Sequence, residues 1–341
     1  MQKLFIISNE SIYFNKNEYF CDNIDLKSTP EGLSKKFEVN IIARKSKKKR
    51  SFRIDVKNIR IFDSIFKFIL EASKAVKNKD SKFLIISLSP YTFLACLCIR
   101  LFGKIPTIYL RSDGYGEYKS ILGFIGPSVY HVMFSISSLI SNLISCQKFI
   151  LRNKKGNILS PSQLDEDWFD KSKKKADLDN IKLLYVGRIR VEKGIYSLIN
   201  MIKNKYQVSL TVVGAEKNAM NEINQKNVKV IQTETTKKKL IDLYDSHNIF
   251  ILPSFTEGHP MALLEALARK RPVIIFEEIK HVVGEKRGIF VSKRSLEELS
   301  YNVNYIMSNY KKIQTEMEKN ILPTKKDFLK DLINLLNDKQ Y

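Results

Sequence analysis

Two glutamates, Glu257 and Glu265, lie eight residues apart across a predicted strand-to-helix junction. The apolar run 249–252 is typical of a buried strand, and Pro260 suits the first position of a helix because its missing N–H is not needed there. The free N–H groups and the dipole of such a helix start favour an anion such as phosphate. Carboxylates beside an anion site are suited to holding hydroxyls. The pattern therefore predicts a site for a sugar nucleotide, in which a diphosphate lies between a ribose and a hexose.

A second segment supplies a tight turn and two cations. The run 182–186 is typical of a buried strand, and Gly187, Arg188 and Lys193 follow it. Gly187 allows the backbone to approach a ligand, and the guanidinium and the ammonium can both reach an anion. An amphipathic helix is predicted from about 195 to 202. The segment therefore predicts an anion-binding loop; the alternative is that these charges are solvated surface groups.

Together these segments resemble the retaining GT-B glycosyltransferases of the large family 4, the glycosyl transferases group 1. One motif of that family is a glutamate, seven residues and a second glutamate. The other is a strand followed by Gly-Arg and, a few residues on, by Lys-Gly. The resemblance continues through 210–214 and 240–254, so it covers roughly 182–276 well. The alternative is a generic α/β domain whose carboxylates are merely solvated.

The resemblance implies a GT-B fold, which is α/β with two Rossmann-like domains whose parallel sheets face an interdomain cleft. We expect residues 1–162 to form an acceptor-side domain and residues 163–180 to form a linker. Residues 181–322 should form the nucleotide-sugar-binding domain, and residues 323–341 a C-terminal segment whose helix returns to the N-terminal domain.

The alternation of predicted elements agrees with that fold, because strands that alternate with helices build parallel sheets covered on both faces. Predicted strands of the first half are 4–8, 39–43, 83–88, 107–110 and 143–146, with helices at 63–77 and 91–102. The second series of strands starts at Leu183 and continues through Leu210, Val228, Phe250, Val273 and Ile289, and a last helix is predicted at 325–337.

By resemblance, the reaction transfers a hexose-type sugar with retention of configuration, without a divalent metal, a cofactor or an obligatory enzyme nucleophile. Glu257 would hold hydroxyls of the donor sugar, and Arg188 and Lys193 would stabilise charge on the leaving diphosphate. Glu265 would accept from the ribose hydroxyls, whereas His259 either contacts the sugar or is structural. The expected contacts to the nucleotide sugar are Gly187, Arg188, Lys193, Gly258, His259, Pro260, Met261, Ala262 and Glu265.

The N-terminal half departs from the family pattern. Many members carry a glycine-rich loop after the first strand, but here the predicted long loop 9–29 has no glycine. Many members also place a histidine after the strand equivalent to 107–110. This chain has Arg111-Ser-Asp-Gly there, with Asp113 nearest the catalytic position. These departures leave open a catalytically inactive GT-B partner subunit.

The net charge of +22 is concentrated in the first half of the chain. Residues 1–175 hold 31 basic and 16 acidic side chains, and the densest basic run is 44–50. Such a run suggests an anionic membrane surface with a lipid-linked or envelope polysaccharide acceptor, a nucleic acid, or a solvated lysine-rich loop. The absence of an RNA-recognition motif and of interleaved aromatics disfavours a nucleic-acid-binding α/β protein.

Other residues point to no metal, disulfide or membrane-spanning segment. Cys21, Cys96, Cys98 and Cys146 have neither disulfide nor zinc spacing, which fits a cytoplasmic protein, peripheral to the membrane if the basic run binds lipid. The run Asp165-Glu-Asp fits the short Asp-x-Asp metal motif with low specificity, so no metal site is predicted. The longest uncharged stretch, 121–147, is too polar and interrupted for a span, and is predicted to be a buried helix followed by a short strand.

Overall fold

The computed structural model describes residues 1–170, 176–203, 207–215 and 225–338. The chain divides into two compact units. Met1–Gln163 and Lys325–Tyr341 form unit 1, and Leu164–Thr324 form unit 2. Both units are built on a largely parallel sheet with helices packed on it, which confirms the predicted α/β class.

The strands and helices are numbered separately along the chain. The strands are β1 Lys3–Asn15, β2 Glu18–Cys21, β3 Glu38–Lys45, β4 Phe52–Ile54, β5 Asn58–Phe62, β6 Lys82–Ile86, β7 Thr107–Leu110, β8 Asn142–Ser145, β9 Asn157–Ile158, β10 Ile181–Val186, β11 Val208–Ala215, β12 Val228–Gln232, β13 Ile249–Leu252, β14 Val273–Phe276 and β15 Ile289–Ser292. The helices are α1 Ile24–Leu33, α2 Ile65–Val76, α3 Pro90–Leu101, α4 Gly114–Leu122, α5 Gly126–Ile140, α6 Glu166–Phe169, α7 Ile195–Met201, α8 Lys237–Ser246, α9 Met261–Ala268, α10 Leu296–Ser308, α11 Tyr310–Met317 and α12 Lys325–Asn337.

Unit 2 has the strand order β12-β11-β10-β13-β14-β15, with every pair parallel. The second series of predicted strands is confirmed in full. In this Rossmann order the strand order reverses between β10 and β13, which makes this position the topological switch point of the sheet. In such sheets, ligands bind at the switch point, outside the carboxyl ends of the strands. The predicted anion-binding loop follows β10 and the predicted sugar-nucleotide loop follows β13, so both leave the sheet at this point.

Unit 1 is a sheet covered by helices on both faces. Its parallel strands run in the order β5-β3-β1-β6-β7-β8-β9. Helices α2, α3 and α5 pack on one face around Phe68, Ile99 and Phe134. Helices α1 and α12 pack on the other face through residues such as Leu26 and Leu332. The last helix therefore completes the core of unit 1, although it follows unit 2 in the sequence.

The segment 9–29 is not the long loop that the sequence predicted. Strand β1 continues to Asn15 and forms an antiparallel hairpin with β2, and α1 follows. Lys16 and Asn17 both have positive φ (46° and 64°), as a two-residue hairpin turn requires. Ile12 is fully buried in this extension. The turn was not predicted because its two positive-φ positions are occupied by lysine and asparagine and not by glycine.

The stretch 121–147 was predicted to be a buried helix and a strand, and only part of this is right. The strand β8 is present, but the helical part is divided by a 3-10 turn at Gly123–Ile125. Only one side of α5 is buried, with Tyr130, Met133 and Phe134 inside. The other side exposes Val129, Val132, Ile136 and Leu139 together with the polar Ser128 and His131.

The segment 163–180, expected to be a linker, is partly built into unit 2. Leu164 and Trp168 are buried in the core of that unit. The Trp168 ring meets the Tyr244 ring edge-on at 5.6 Å. Residues 171–175 of this segment lie outside the described residues.

A buried charge cluster joins α8 to the end of α9 in unit 2. The Arg269 side chain donates from Nε to the Asp245 carboxylate at 2.8 Å and from Nη1 to the Trp168 carbonyl at 3.2 Å. Arg271 donates from Nε to the Tyr244 carbonyl at 3.0 Å, and both arginines are 2% exposed. One carboxylate therefore compensates charge on two buried guanidinium groups.

We expect Asp245→Ala to lower the free energy of unfolding of unit 2 by about 3–5 kcal/mol, because it leaves buried cations without their counter-charge. The measurement is urea unfolding followed by the fluorescence of Trp168, the one tryptophan of the chain. The matched control is Asp242→Ala, an exposed carboxylate on the same helix, which should change stability by less than about 0.5 kcal/mol. Equal losses in the two variants would contradict the assigned role of the cluster.

Candidate functional site

The loops after β10 and β13 approach each other closely at Gly194. This residue has φ +64°, and a Cβ there would lie 1.9 Å from the carbonyl oxygen of Pro253. The backbone N–H of Phe255 donates to the carbonyl of Glu192 at 2.9 Å. Only glycine fits this contact, so the Lys-Gly pair of the motif sets the distance between the two loops.

This approach brings Lys193 and Glu257 together. The Lys193 Nζ donates to Glu257 Oε1 at 2.7 Å, and the Ser254 hydroxyl donates to the same oxygen at 2.7 Å. The His281 ring donates from Nε2 to the Glu257 carbonyl oxygen at 2.7 Å. Glu257 is therefore held by its side chain and by its backbone. Sequence reasoning assigned no role to Ser254, although it lies in the same motif, and found no signal for His281.

The turn after β10 places Arg188 at the same end of the sheet. The Gly187 N–H donates to the Val213 carbonyl at 2.9 Å, and the Tyr185 hydroxyl donates to the Arg188 carbonyl at 2.8 Å. Burial raises the pKa of Tyr185, the Glu257 carboxylate raises it further, and Arg188 lowers it. The Tyr185 hydroxyl thus fixes the backbone of Arg188 at the carboxyl end of β10.

Helix α9 begins one residue later than the sequence predicted. Pro260 is its N-cap, with φ −74° and ψ 110°, and not its first helical residue. Gly258 and His259 precede it in the loop, and Met261 and Ala262 open the first turn. Because a proline cap has no side-chain acceptor, the N–H groups of that turn remain suited to an anion.

Glu265 lies on α9 and is held by Tyr244 of α8. The Tyr244 hydroxyl donates to Glu265 Oε2 at 2.8 Å and to the Ala262 carbonyl at 3.2 Å. Burial raises the pKa of Glu265 to about 7, while the hydrogen bond from Tyr244 opposes the rise. The carboxyl group can therefore exchange a proton near neutral pH. Tyr244 was not singled out, since nothing in its local sequence distinguishes it from a core aromatic.

Asp113, the remaining predicted catalytic residue, lies in unit 1 as the N-cap of α4. Its Oδ1 accepts from the Tyr115 N–H at 3.3 Å and lies 3.6 Å from Arg152 Nη2. The Arg152 guanidinium lies over the Tyr115 ring, 4.8 Å from its centroid. The carboxylate thus caps a helix and faces one cation.

The Asp165-Glu-Asp run is engaged by a lysine. Lys237 Nζ donates to Asp165 Oδ2 at 2.7 Å and also pairs with Asp167. Within the described ranges, no group of three or more histidine, cysteine, aspartate or glutamate side chains is placed to hold a metal ion.

Comparison with known proteins gives a family match within the second half of the chain. Residues 166–322 match the family model of the glycosyl transferases group 1. The capsular polysaccharide biosynthesis glycosyltransferase CapM of Staphylococcus aureus is 28% identical over 160 residues, which are 43% of this chain and 42% of CapM. The matched segment thus spans about two fifths of the length of the curated relatives.

Solved structures match over nearly the whole chain at low sequence identity. Anabaena HepE, solved in complex with UDP and glucose, matches with a TM-score of 0.71 at 11% identity, covering 99% of this chain and 100% of HepE. WaaG, a glycosyltransferase involved in lipopolysaccharide biosynthesis, matches with a TM-score of 0.67 at 11% identity, covering 98% and 99% of the two chains. These likenesses show the GT-B fold.

The raised pKa of Glu265 predicts a stability that depends on pH. The folded chain holds this proton up to about pH 7, whereas the ordinary value is 4.5. The resulting stability is fully present below pH 4.5 and is lost as the pH rises through 7.

The Glu265→Gln variant lacks the titrating group and so does not lose this stability. The free energy of unfolding of the variant minus that of the wild type should therefore be about 2 kcal/mol larger at pH 8 than at pH 5. Urea unfolding at both pH values measures the change. The exposed Glu297→Gln serves as the control and should show no such trend. If the free energies of unfolding of Glu265→Gln and the wild type differ by the same amount at both pH values, the carboxyl group of the folded wild type is ionised at both.

Proposed function

We propose, because residues 166–322 belong to the glycosyl transferases group 1 family, that this chain is a retaining glycosyltransferase. It transfers a hexose-type sugar from a nucleotide-diphospho-sugar to a saccharide or lipid-linked acceptor of envelope polysaccharide assembly. The observation that carries the proposal is the pairing of Lys193 with Glu257 at 2.7 Å, at the carboxyl ends of β10 and β13. Donor phosphate and donor sugar would meet a cation and a carboxylate there.

The diphosphate end of the donor would be bound by positive charge. Arg188 offers a planar fork of donors, and Lys193 offers a compact charge that is already oriented by Glu257. The first turn of α9 adds backbone N–H groups and its dipole at Met261 and Ala262. Charge that develops on the leaving diphosphate would thus meet donors fixed before the reaction. Such fixed donors usually lower the barrier of an enzymatic reaction more than any other single effect does.

The hydroxyl-bearing ends of the donor would be bound by the two carboxylates. Glu257 would accept from hydroxyls of the transferred sugar, and Glu265 from those of the ribose. Burial raises the pKa of Glu265 to about 7, so above this pH the group is the ionised carboxylate that accepts hydrogen bonds, as this role requires. Gly187, Gly258 and His259 would line the donor through the loops that carry these residues.

The same residues account for a reaction without a metal or a cofactor. Divalent ions in phosphoryl chemistry neutralise charge on the leaving oxygens. Here two side-chain cations and a helix N-terminus would do so, and we propose that no resident metal is needed.

The acceptor side is proposed from the relatives. CapM is named for capsular polysaccharide and WaaG for lipopolysaccharide biosynthesis. An acceptor of this class, saccharide or lipid-linked, would place the enzyme at the cytoplasmic face of a membrane. Asp113 would act on the acceptor side in place of the family histidine.

Release of nucleoside diphosphate from a panel of donors tests the function. UDP-glucose, UDP-N-acetylglucosamine, GDP-mannose and ADP-glucose are incubated with the protein and a panel of saccharide acceptors, or with water as the acceptor, with and without excess EDTA. We expect release from at least one donor, unaffected by EDTA. Arg188→Ala or Lys193→Ala should slow it by on the order of 100- to 1000-fold, the loss expected for one preorganised donor.

The control for the cations is Lys203→Ala, an exposed lysine of unit 2. Turnover of Arg188→Ala within about threefold of the wild type would contradict the role of Arg188. Thermal stabilisation by a nucleotide without any turnover would indicate an inactive partner subunit. Activity that is lost in EDTA and restored by Mg²⁺ would show that the reaction depends on a metal.

Isothermal titration with UDP, or with the diphosphate of whichever donor turns over, separates the two carboxylates. Glu265→Gln should weaken binding by about 1–2 kcal/mol, because it removes a charge-assisted acceptor from the ribose. Glu257→Gln should leave this affinity closer to wild type and reduce turnover instead. The reverse pattern would mean that the two roles are exchanged.

A further inference from the structure

Helices α4 and α5 of unit 1 fold back on each other as a hairpin. The Tyr115 ring of α4 lies 4.9 Å from the Tyr130 ring and 6.1 Å from the Phe134 ring of α5. A Cβ on Gly126 would lie 1.9 Å from the carbonyl oxygen of Tyr118, so the two helices meet closely at the turn.

The outer side of this hairpin exposes a set of large apolar residues. Along α5 the exposed apolar residues are spaced three or four apart, on the side opposite the buried Tyr130 and Phe134. At the turn, Phe124 is 91% exposed, and at the far end of α5, Leu139 is 80% exposed. We call the set the apolar surface: Ile121, Phe124, Val129, Val132, Ile136 and Leu139. Large apolar side chains exposed together on one element usually mark a contact surface.

The hairpin fits the interface of a bilayer and not its interior. By length and composition alone, Gly114–Ile140 could cross a membrane. The fold divides this segment, however, and α5 has 15 residues, about 22 Å against a hydrocarbon core of about 30 Å. Since one side of α5 packs into the core of unit 1, only its outer side is available to lipid. Such a helix lies in the interfacial plane.

The charge of the segment that contains α4 and α5 indicates which contact the apolar surface makes. Residues 90–155 hold eight basic and two acidic side chains. Within the described residues, none of Arg100, Lys119, Lys148, Lys154 and Lys155 lies within ion-pairing distance of a carboxylate.

Three of these lysines line one surface depression of about 520 Å³, beside Leu151, which packs in the same core as α5. An anionic lipid surface complements this charge, whereas a second copy would oppose like charges.

The basic run 44–50 differs from this surface. Arg44 lies over the Tyr91 ring at 5.0 Å, and Arg50 pairs with Asp22 and donates to Ser46 at 3.0 Å. Both arginine side chains therefore make contacts within the protein.

We propose that the apolar surface inserts into the interface of an anionic lipid bilayer, with Lys148, Lys154 and Lys155 contacting the lipid headgroups. The docking needs neither donor nor acceptor, so it is independent of the transferase activity. It places unit 1 on the membrane through a helical hairpin and not through the basic run.

Vesicle co-sedimentation tests the proposal with the full-length protein. The vesicles are phosphatidylcholine alone or with phosphatidylglycerol, at roughly 50 and 500 mM salt. We expect binding to the anionic vesicles, and Phe124→Ser with Leu139→Ser should reduce it by at least about tenfold. The control Ile321→Ser removes an apolar side chain that is 99% exposed in unit 2 and should bind as the wild type does.

A matched pair of charge variants distinguishes the two basic regions. Lys148, Lys154 and Lys155 changed together to glutamine should weaken binding at low salt. The same change at Lys47, Lys48 and Lys49 should have a much smaller effect. The opposite result would move the contact to the basic run and overturn the proposal.

Tryptophan fluorescence gives a readout that does not depend on loss of binding. The native Trp168 is 3% exposed, in the core of unit 2, so it contributes a constant signal. A Phe124→Trp variant should shift its emission to the blue with anionic vesicles and be quenched by brominated lipids, whereas Ile321→Trp should show neither effect. Three results would overturn the proposal: no vesicle binding, unchanged binding by the serine variant, or a wild-type dimer that the serine variant dissociates.

Discussion

The close contact between Gly194 and the Pro253 carbonyl is the constraint on which the candidate site depends. A side chain at Gly194 would stand 1.9 Å from that oxygen, so the loops after β10 and β13 approach this closely only with glycine. The approach lets Lys193 reach Glu257, and it joins the loops by a backbone hydrogen bond from Phe255 to Glu192. The parallel order of unit 2 places both loops at the switch point of the sheet. The motif therefore encodes a distance as well as a set of functional groups.

Much of this arrangement is visible in the sequence, because buried parallel strands are short apolar runs. The six strands of unit 2 and the last helix, 325–337, are predicted from such patterns and are present. The hairpin within 9–29 was missed, since Lys16 and Asn17 adopt positive φ without the glycine that marks such turns. The exposed side of α5 was also missed. Apolar residues on both sides of a helix predict burial on both sides, and the sequence does not show which side has no partner.

In the candidate site, too, some residues were predicted from the sequence and others were not. Residues within the two motifs, such as Lys193 and Glu257, are found together because sheet topology brings together the carboxyl ends of neighbouring strands. Tyr244, which holds the Glu265 carboxylate, and His281, which holds the backbone carbonyl of Glu257, come from elements distant in sequence. A tyrosine in an amphipathic helix looks like a core residue, and Tyr244 is buried as one. Its hydroxyl acquires a partner only when α8 packs beside α9, which local patterns do not describe.

On the proposed function, the pairing of Lys193 with Glu257 also bears on how the site would meet a charged donor. An isolated cation or carboxylate in a partly buried loop would carry a desolvation cost, and each group here offsets that cost for the other. A diphosphate approaching Lys193 competes with Glu257 for the ammonium, and a sugar hydroxyl approaching Glu257 competes with Lys193 and Ser254 for the carboxylate. A complete nucleotide sugar supplies both groups at once, so it can replace the internal pair with two new contacts. A lone phosphate or a free sugar satisfies only one member and leaves the other with a weakened partner. The internal ion pair thus orients both groups and favours a ligand that carries the phosphate and the hydroxyls together.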